Sequence, residues 1–189
     1  TQMHRTYTSA LLVLVLSACL PGTSPYYLPQ SNGGVLKSRG PCSAEILKSV
    51  QLKIGAGVQI EAFAQKQMHG HGTSVVVELQ LDGPSSVTLS DPVVTVHSQT
   101  MQERDVAIHD LRTSRGGIGV AQGPLQPMVG PTAQGARDPK RYAFEMILPF
   151  ESENFHMQLP SLIVDGQRRD VEAIEFLSKT GVHVVPMCQ

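Results

Sequence analysis

The sequence predicts an all-β fold, an antiparallel β-sandwich that is immunoglobulin-like or similar and has about 8–9 strands. Apolar residues alternate with polar ones through most of the chain after Ala44, which is the period of a strand with one buried face. The chain has 17 Gly, 13 Pro and no Trp, a composition that suits many turns and a core of Val, Ile and Leu. The same pattern fits a sandwich or a barrel, and we favour the sandwich.

Alternating runs define the individual strands. In one run, Val75 and Val77 share one face while Glu78 takes the other. Asp82-Gly83-Pro84 and Asp165-Gly166-Gln167 are turn signals that end such runs. The predicted strands are centred on residues 50–54, 58–60, 75–81, 94–96, 106–108, 142–148, 162–164 and 182–184.

A short apolar segment follows a cationic residue near the start of the chain. Arg5 precedes the run 10–16, which has the length of a secretory signal's apolar region, whereas a spanning helix needs about 20 apolar residues. The run closes on Leu16-Ser17-Ala18-Cys19. This motif resembles the lipobox of bacterial lipoproteins, in which two small residues precede the cysteine that is acylated. The resemblance covers residues 3–19.

The resemblance implies a signal peptide over residues 1–18 and an N-terminal lipid anchor on Cys19. Stable anchorage needs more than one acyl chain, which such a cysteine carries. Leu20 follows where an Asp would retain the protein, which implies sorting to the outer membrane with the folded part facing the periplasm. The alternative is an ordinary secretory signal with a Cys beside its cleavage site.

The remaining chain divides by composition. Pro and Gly interrupt any regular element in the stretch behind Cys19, so we predict a flexible tether over residues 19–41 and a β-sandwich domain over 42–189. Within the domain, a Gly/Pro-rich stretch at about 110–140 predicts a long loop, which is either a mobile surface loop or a binding segment.

Three cysteines are present. If Cys19 is acylated, Cys42 and Cys188 remain, and in an oxidising compartment we expect them to form a disulfide. Closing so long a loop would stabilise the domain by up to about 4–5 kcal/mol in the chain-entropy model. The alternatives are two free thiols or a metal pair, although no C-x-x-C spacing supports zinc.

The charge balance excludes one class of partner. The formal net charge is −1 with His neutral, and loss of Arg5 with the signal peptide makes it −2. Since the chain has no basic stripe with interleaved aromatic residues, we predict no nucleic-acid binding.

Two histidines form the sharpest candidate for a ligand site. In Met68-His69-Gly70-His71 the imidazoles of His69 and His71 are two residues apart, a spacing that could hold copper or zinc. The alternative is a pair of solvated histidines on an exposed turn that contains Gly70 and Gly72. We predict no bound cofactor.

No catalytic motif is present. The chain has no G-x-S-x-G elbow, and Gly116-Gly117-Ile118-Gly119 lacks the Lys of a phosphate-binding loop. Glu151, Glu153 and Asp165 could supply an acid/base pair only by converging from separate loops. We read them instead as polar connections and predict that the protein is not an enzyme.

These observations predict a non-enzymatic protein-interaction or structural module of the bacterial envelope, anchored to the membrane by lipid. Its partner would be another envelope protein, recognised by the 110–140 loop or by an exposed sheet edge. The alternatives are a metal-binding lipoprotein that uses His69 and His71, and a hydrolase whose residues come together only in the fold. The predicted partner-binding residues are Arg112, Arg115, Leu125, Met128 and Arg137.

Overall fold

A computed structural model describes residues 22–39, 47–67, 70–113, 120–132 and 138–183. Within those ranges the chain is all-β and contains no helix. Accordingly, no helix in the described ranges is long and apolar enough to cross a membrane. The predicted fold class is therefore confirmed.

Sixteen strands follow one another along the described chain. They are β1 (Gly22–Gln30), β2 (Val35–Arg39), β3 (Leu47–Gly55), β4 (Val58–Lys66), β5 (Thr73–Leu81), β6 (Ser86–Leu89), β7 (Val93–Ser98), β8 (Arg104–Ala107), β9 (Leu111–Thr113), β10 (Val120–Gln122), β11 (Met128–Val129), β12 (Lys140–Leu148), β13 (Phe155–Gln158), β14 (Leu162–Val164), β15 (Gln167–Arg169) and β16 (Ile174–His183).

The strands form three antiparallel sheets. The seven-stranded sheet has the order β10-β9-β12-β5-β4-β3-β2, the five-stranded sheet β1-β16-β13-β7-β8, and the four-stranded sheet β11-β6-β14-β15. The two smaller sheets face the large one, since Tyr27 of β1 is hydrogen-bonded to Thr73 of β5 and Leu162 of β14 lies over Leu79 of β5. The result is a two-layer sandwich with one core.

The alternation of side chains along each strand shows where that core lies. Along β5, Val75, Val77 and Leu79 are buried between the layers, while Glu78 on the other face is only half-buried. In the five-stranded sheet the core is aromatic, because the rings of Phe155 and Phe176 stack with centroids 4.7 Å apart. Aromatic side chains bury much area and prefer offset or edge contacts, and these rings hold β13 against β16.

The tether prediction for residues 19–41 is wrong for residues 22–30 and 35–39, which form β1 and β2. All nine residues of β1 pair with β16. Pro25 and Pro29 are tolerated because β1 is an edge strand, where a missing N–H on the open side costs no ladder hydrogen bond. Tyr27 anchors the strand, since its side chain is 4% exposed.

The stretch at 110–140 is also more regular than a loop. Its described residues include β9, β10 and β11. Met128 is 0% exposed, and Gly130 packs so closely on the carbonyl of Gly83 that a Cβ would collide with it. The prediction of a long loop without structure is therefore wrong for 111–113, 120–122 and 128–129, because buried side chains and ladder bonds hold them in place.

The two ends of the sandwich differ, and we name each by its residues. The hairpin end comprises residues 53–58, 82–86 and 165–170, where the amide of Asp82 donates to the carbonyl of Gly57 at 2.9 Å. The crossover end comprises residues 66, 67, 70–73 and 148–154, where the Thr73 hydroxyl donates to the carbonyl of Phe150 at 2.7 Å.

Candidate functional site

The described residues 120–132, which we name the edge arm, form one open side of the sandwich. Its first strand, β10, is the last strand of the seven-stranded sheet, and its second, β11, is the last strand of the four-stranded sheet. The arm thus passes from one layer to the other. In the described part of the chain no further strand pairs with either β10 or β11, so both lie at the edges of their sheets.

The arm is fixed to the sandwich at its C-terminal side. The hydroxyl of Tyr142 accepts a hydrogen bond from the amide of Val129 at 3.0 Å and donates one to the carbonyl of the same residue at 2.9 Å. The amide of Gly130 donates to the carbonyl of Ser85 at 3.0 Å. Met128 fills the core beneath these bonds. The arm therefore has a defined position at the hairpin end.

Three apolar side chains on the arm point to solvent. Val120 is 64% exposed, Leu125 is 54% exposed and Val129 is 38% exposed. A single exposed apolar residue is ordinary on a protein surface, but three within ten residues of an open sheet edge are what a contact surface needs. The edge arm is therefore the strongest candidate for a binding surface.

The predicted partner-binding residues divide into three groups. Leu125 and Arg112 are exposed as a contact residue requires, and Arg112 lies on β9 beside Ala121 of the arm. The Arg112 Nε lies 3.3 Å from Asp110 Oδ2. Met128 is fully buried, so its assignment to the contact surface is wrong and its role is in the core. Arg115 and Arg137 lie outside the described residues.

A second open edge was missed from the sequence. β2 ends the seven-stranded sheet opposite the arm, and its Val35 and Leu36 are 55% and 50% exposed. Beside Leu36 lies a groove of about 260 Å³, lined also by Leu28 and Val50. Two adjacent apolar residues in Val35-Leu36-Lys37 were the available signal, but the Pro- and Gly-rich surroundings pointed to a tether.

His71 lies in the β4–β5 loop at the crossover end and is fully exposed. Its Nδ1 lies 3.5 Å from a carboxylate oxygen of Glu151. The other oxygen of Glu151 pairs with the ammonium of Lys66 at 2.6 Å, and this bond, with a weaker one from the amide of Gly72, holds the pKa of Glu151 below its usual range. Glu151 thus holds the β4–β5 loop against the connection between β12 and β13.

The metal site predicted at His69 and His71 remains a prediction. His69 and Met68 lie outside the described residues. In the ranges that the structure describes, no three His, Cys, Asp or Glu side chains are grouped as metal ligands would be.

Two other histidines do approach each other. His97 of β7 and His156 of β13 are register partners, and their ring centroids are 6.5 Å apart. The Nε2 of His156 lies 3.6 Å from a carboxylate oxygen of Glu175. The three side chains form a row across three neighbouring strands rather than a triangle, so they do not surround a common point.

The carboxylates considered for acid/base chemistry each have a structural partner. Glu151 pairs with Lys66, as described above. Glu153 accepts hydrogen bonds from the hydroxyl of Thr100 at 2.8 and 3.0 Å, and Asp165 accepts one from the amide of Ser86 at 2.8 Å. Each of these bonds ties a connection to a neighbouring element.

The three cysteines, Cys19, Cys42 and Cys188, lie outside the described residues, so acylation and the disulfide remain predictions.

No protein-family model matches the chain, and comparison with curated proteins and with solved structures finds no match to either. The exposed edges of the sandwich are therefore the basis on which we assign a function.

Proposed function

We propose that the chain is a lipid-anchored lipoprotein of the bacterial envelope, facing the periplasm from the outer membrane, that acts as a non-enzymatic protein-interaction or structural module. The observation that carries the proposal is the edge arm, where Val120, Leu125 and Val129 are exposed on an open edge of two sheets. Its partner is another envelope protein.

Strand addition on β10 is the mode of recognition that this geometry favours, because the amide and carbonyl of Val129 on β11 are already bonded to the Tyr142 hydroxyl. An extended segment can pair with a free sheet edge through backbone hydrogen bonds, while alternate side chains supply specificity. On the arm, Val120 lies on β10 and Val129 on β11, so a bound segment would meet apolar groups at both ends of the arm. The partner's chemistry is therefore an extended segment with apolar residues at alternate positions.

The lipobox supports the anchor, with Cys19 as the acylated residue and no other cysteine needed for it. Cys42 and Cys188 then form the proposed disulfide. Strand direction supports this pairing: Cys42 follows Arg39 of β2 by three residues and Cys188 follows His183 of β16 by five, and both strands run toward the crossover end. A disulfide there would close the domain at one end.

The test is to purify the full-length protein in mild detergent from its native membrane and identify co-eluting proteins by mass spectrometry. A variant carrying Val120→Lys and Leu125→Lys places two charges on the arm, and Ile147→Lys is the matched control, since Ile147 is 47% exposed on a central strand. Burying an apolar side chain is worth about 1.5–3 kcal/mol and about 1.4 kcal/mol is a factor of ten in affinity, so we expect at least a ~tenfold loss of partner.

The expected result is a stoichiometric envelope protein that co-elutes with the wild type and with the Ile147→Lys variant but not with the double variant. A wild-type protein that elutes alone would overturn the interaction module. Retention of the partner by the double variant would overturn the arm as the binding surface. The other exposed edge, β2, would then be the surface to test.

A further inference from the structure

The first and last described strands continue beyond the rest of the five-stranded sheet. β13 pairs with β16 only as far as Phe176, and the amide of Ser178 then donates to the Asn154 side chain at 2.8 Å. From Lys179 onward, β1 is the only described strand that pairs with β16. Residues 22–26 and 179–183 thus form a two-stranded extension, which we name the β1–β16 ribbon.

The ribbon leaves the sandwich at the crossover end. Tyr27, the first β1 residue past the ribbon, is hydrogen-bonded through its hydroxyl to Thr73 at 2.8 Å. Thr73 is the first residue of β5 and pairs with Lys66 and Leu148, the last residues of β4 and β12. The ribbon therefore extends past the end of the seven-stranded sheet by five residues, or roughly 17 Å.

Very little chain separates the ribbon from the acylated cysteine of the proposed function. Only Leu20 and Pro21 lie between Cys19 and Gly22. The three residue steps from Cys19 to Gly22 span at most about 11 Å. The flexible tether predicted for residues 19–41 would instead reach about 75 Å. A domain on so short a connection has its ribbon held at the membrane surface.

We infer that the crossover end faces the bilayer and that the β1–β16 ribbon contacts the lipid headgroups; this inference rests on the acylation of Cys19 in the proposed function. The ribbon's side chains suit that place. Tyr26 is half-buried, and tyrosine has an apolar ring with a polar tip that favours interfaces. Lys179 is exposed and supplies a cation for anionic lipid.

The same orientation places the partner-binding surface on the far side of the domain. The edge arm is bonded to Ser85 and Ser86 at the hairpin end. The seven-stranded sheet separates that end from the crossover end, because β5 runs from Thr73 to Leu81 between them. The arm is thus presented toward the periplasm while the ribbon meets the membrane.

The chain contains no Trp, so a single introduced Trp is a clean fluorescence reporter. Tyr26→Trp places it on the ribbon, and Thr180→Trp is a second ribbon reporter at an exposed position that pairs with Pro25. Lys53→Trp is the matched control, since Lys53 is exposed at the hairpin end near Asn32. The acylated full chain is reconstituted into phosphatidylethanolamine–phosphatidylglycerol vesicles with or without a lipid that carries a nitroxide quencher near its headgroup.

The quencher should reduce the emission of Tyr26→Trp and Thr180→Trp by about twofold or more, because an interfacial indole lies at headgroup depth. The emission of Lys53→Trp should stay within experimental error. Equal quenching of ribbon and control reporters, or no quenching of either ribbon reporter, would overturn the orientation. Circular dichroism shows whether each variant retains the β spectrum of the wild type.

Cys19→Ser separates this inference from the proposed function. If the wild type is not membrane-bound, or if Cys19→Ser stays equally bound, the lipid anchor fails and the orientation fails with it. If Cys19→Ser releases the protein and neither ribbon reporter is quenched in the anchored chain, the anchor stands and only the orientation is overturned.

Discussion

Two Gly/Pro-rich segments, residues 22–39 and the edge arm at 120–132, have similar compositions but different structures. The first contributes a nine-residue strand, β1, which pairs along its whole length with β16. The second contributes strands of three and two residues. The first buries Tyr27 in the aromatic core, whereas the second leaves Val120, Leu125 and Val129 exposed.

The difference shows that glycine and proline content does not by itself separate a structural strand from a loop. What separates the two segments is the partner available to each. β1 has a ten-residue partner strand and an aromatic pocket for its tyrosine, while the arm has short partners and one buried anchor, Met128. Segments with few buried contacts open at low free energy and are the ones that commonly bind. The following predictions test this contrast.

Tyr27→Ala should have the largest effect. The substitution removes a ring 5.5 Å from Phe155 and breaks the hydrogen bonds from Ser152 and to Thr73. Loss of a buried aromatic side chain costs about 3–5 kcal/mol of unfolding free energy, which urea denaturation with an unchanged slope would show. Tyr27→Phe keeps the ring and should cost only about 1–2 kcal/mol. A loss below 1 kcal/mol for Tyr27→Ala would mean that β1 is not part of the cooperative fold.

Gly130→Ala should be next, because the added Cβ would collide with the backbone carbonyl of Gly83. Forcing the two backbones apart should cost about 1–3 kcal/mol. Gly123→Ala is the control on the same arm, since its Cβ would lie 3.7 Å from the flexible Gln126 side chain, and it should change stability by less than about 0.5 kcal/mol. Equal effects of the two substitutions in urea denaturation would contradict the close packing at Gly130.

Tyr142→Phe should loosen the arm alone. It removes both hydrogen bonds to Val129 and keeps a ring that is 2% exposed. The free energy of opening the arm should therefore fall by about 1–2 kcal/mol. Hydrogen exchange should show faster exchange of the Val129 amide, with little change at Leu79 in the central strand β5. Uniformly faster exchange across both would instead show that the arm and the core unfold together.

Alkaline pH should destabilise the first segment through Tyr27. Burial raises the pKa of its hydroxyl above the ordinary value of 10.0, although bonds with Thr73 and Ser152 partly oppose the shift. Because the pKa is raised in the folded state, the contribution of the neutral Tyr27 hydroxyl to the free energy of unfolding is fully present below pH 10. That contribution is lost as the pH rises through the folded-state pKa. Urea unfolding below and above pH 10 should show this loss, and the Tyr27→Phe variant should show a smaller one. An unchanged pH dependence in that variant would count against the buried hydroxyl.

The parts of the fold that the sequence predicted are those with a long period of two. β4, β5 and β12 lie at predicted strands because Ile60, Val75 and Tyr142 and their alternate neighbours face one core. A strand of two residues, such as β11, is too short to show a period. Consequently the number of strands is larger than predicted, and the burial of Met128 could not be inferred.

The residues of the candidate site were predicted only in part, because their exposure depends on sheet topology as well as on residue pattern. Leu125 and Arg112 were found because they lie in a long stretch rich in turn residues, and both are exposed. Val35 and Leu36 were missed since their exposure depends on which strand lies at the sheet edge. Edge position follows from topology, which residue pattern alone does not contain.

The pairing of β1 with β16 also constrains when this protein can fold. Gln30 pairs with Glu175 and Gly22 with His183, so the first described strand finds its neighbour only after the last has been made. Contacts so distant in sequence form slowly. A partly synthesised chain would therefore keep its five-stranded sheet incomplete until β16 is made, and a truncation before Ile174 would leave β1 without its partner strand.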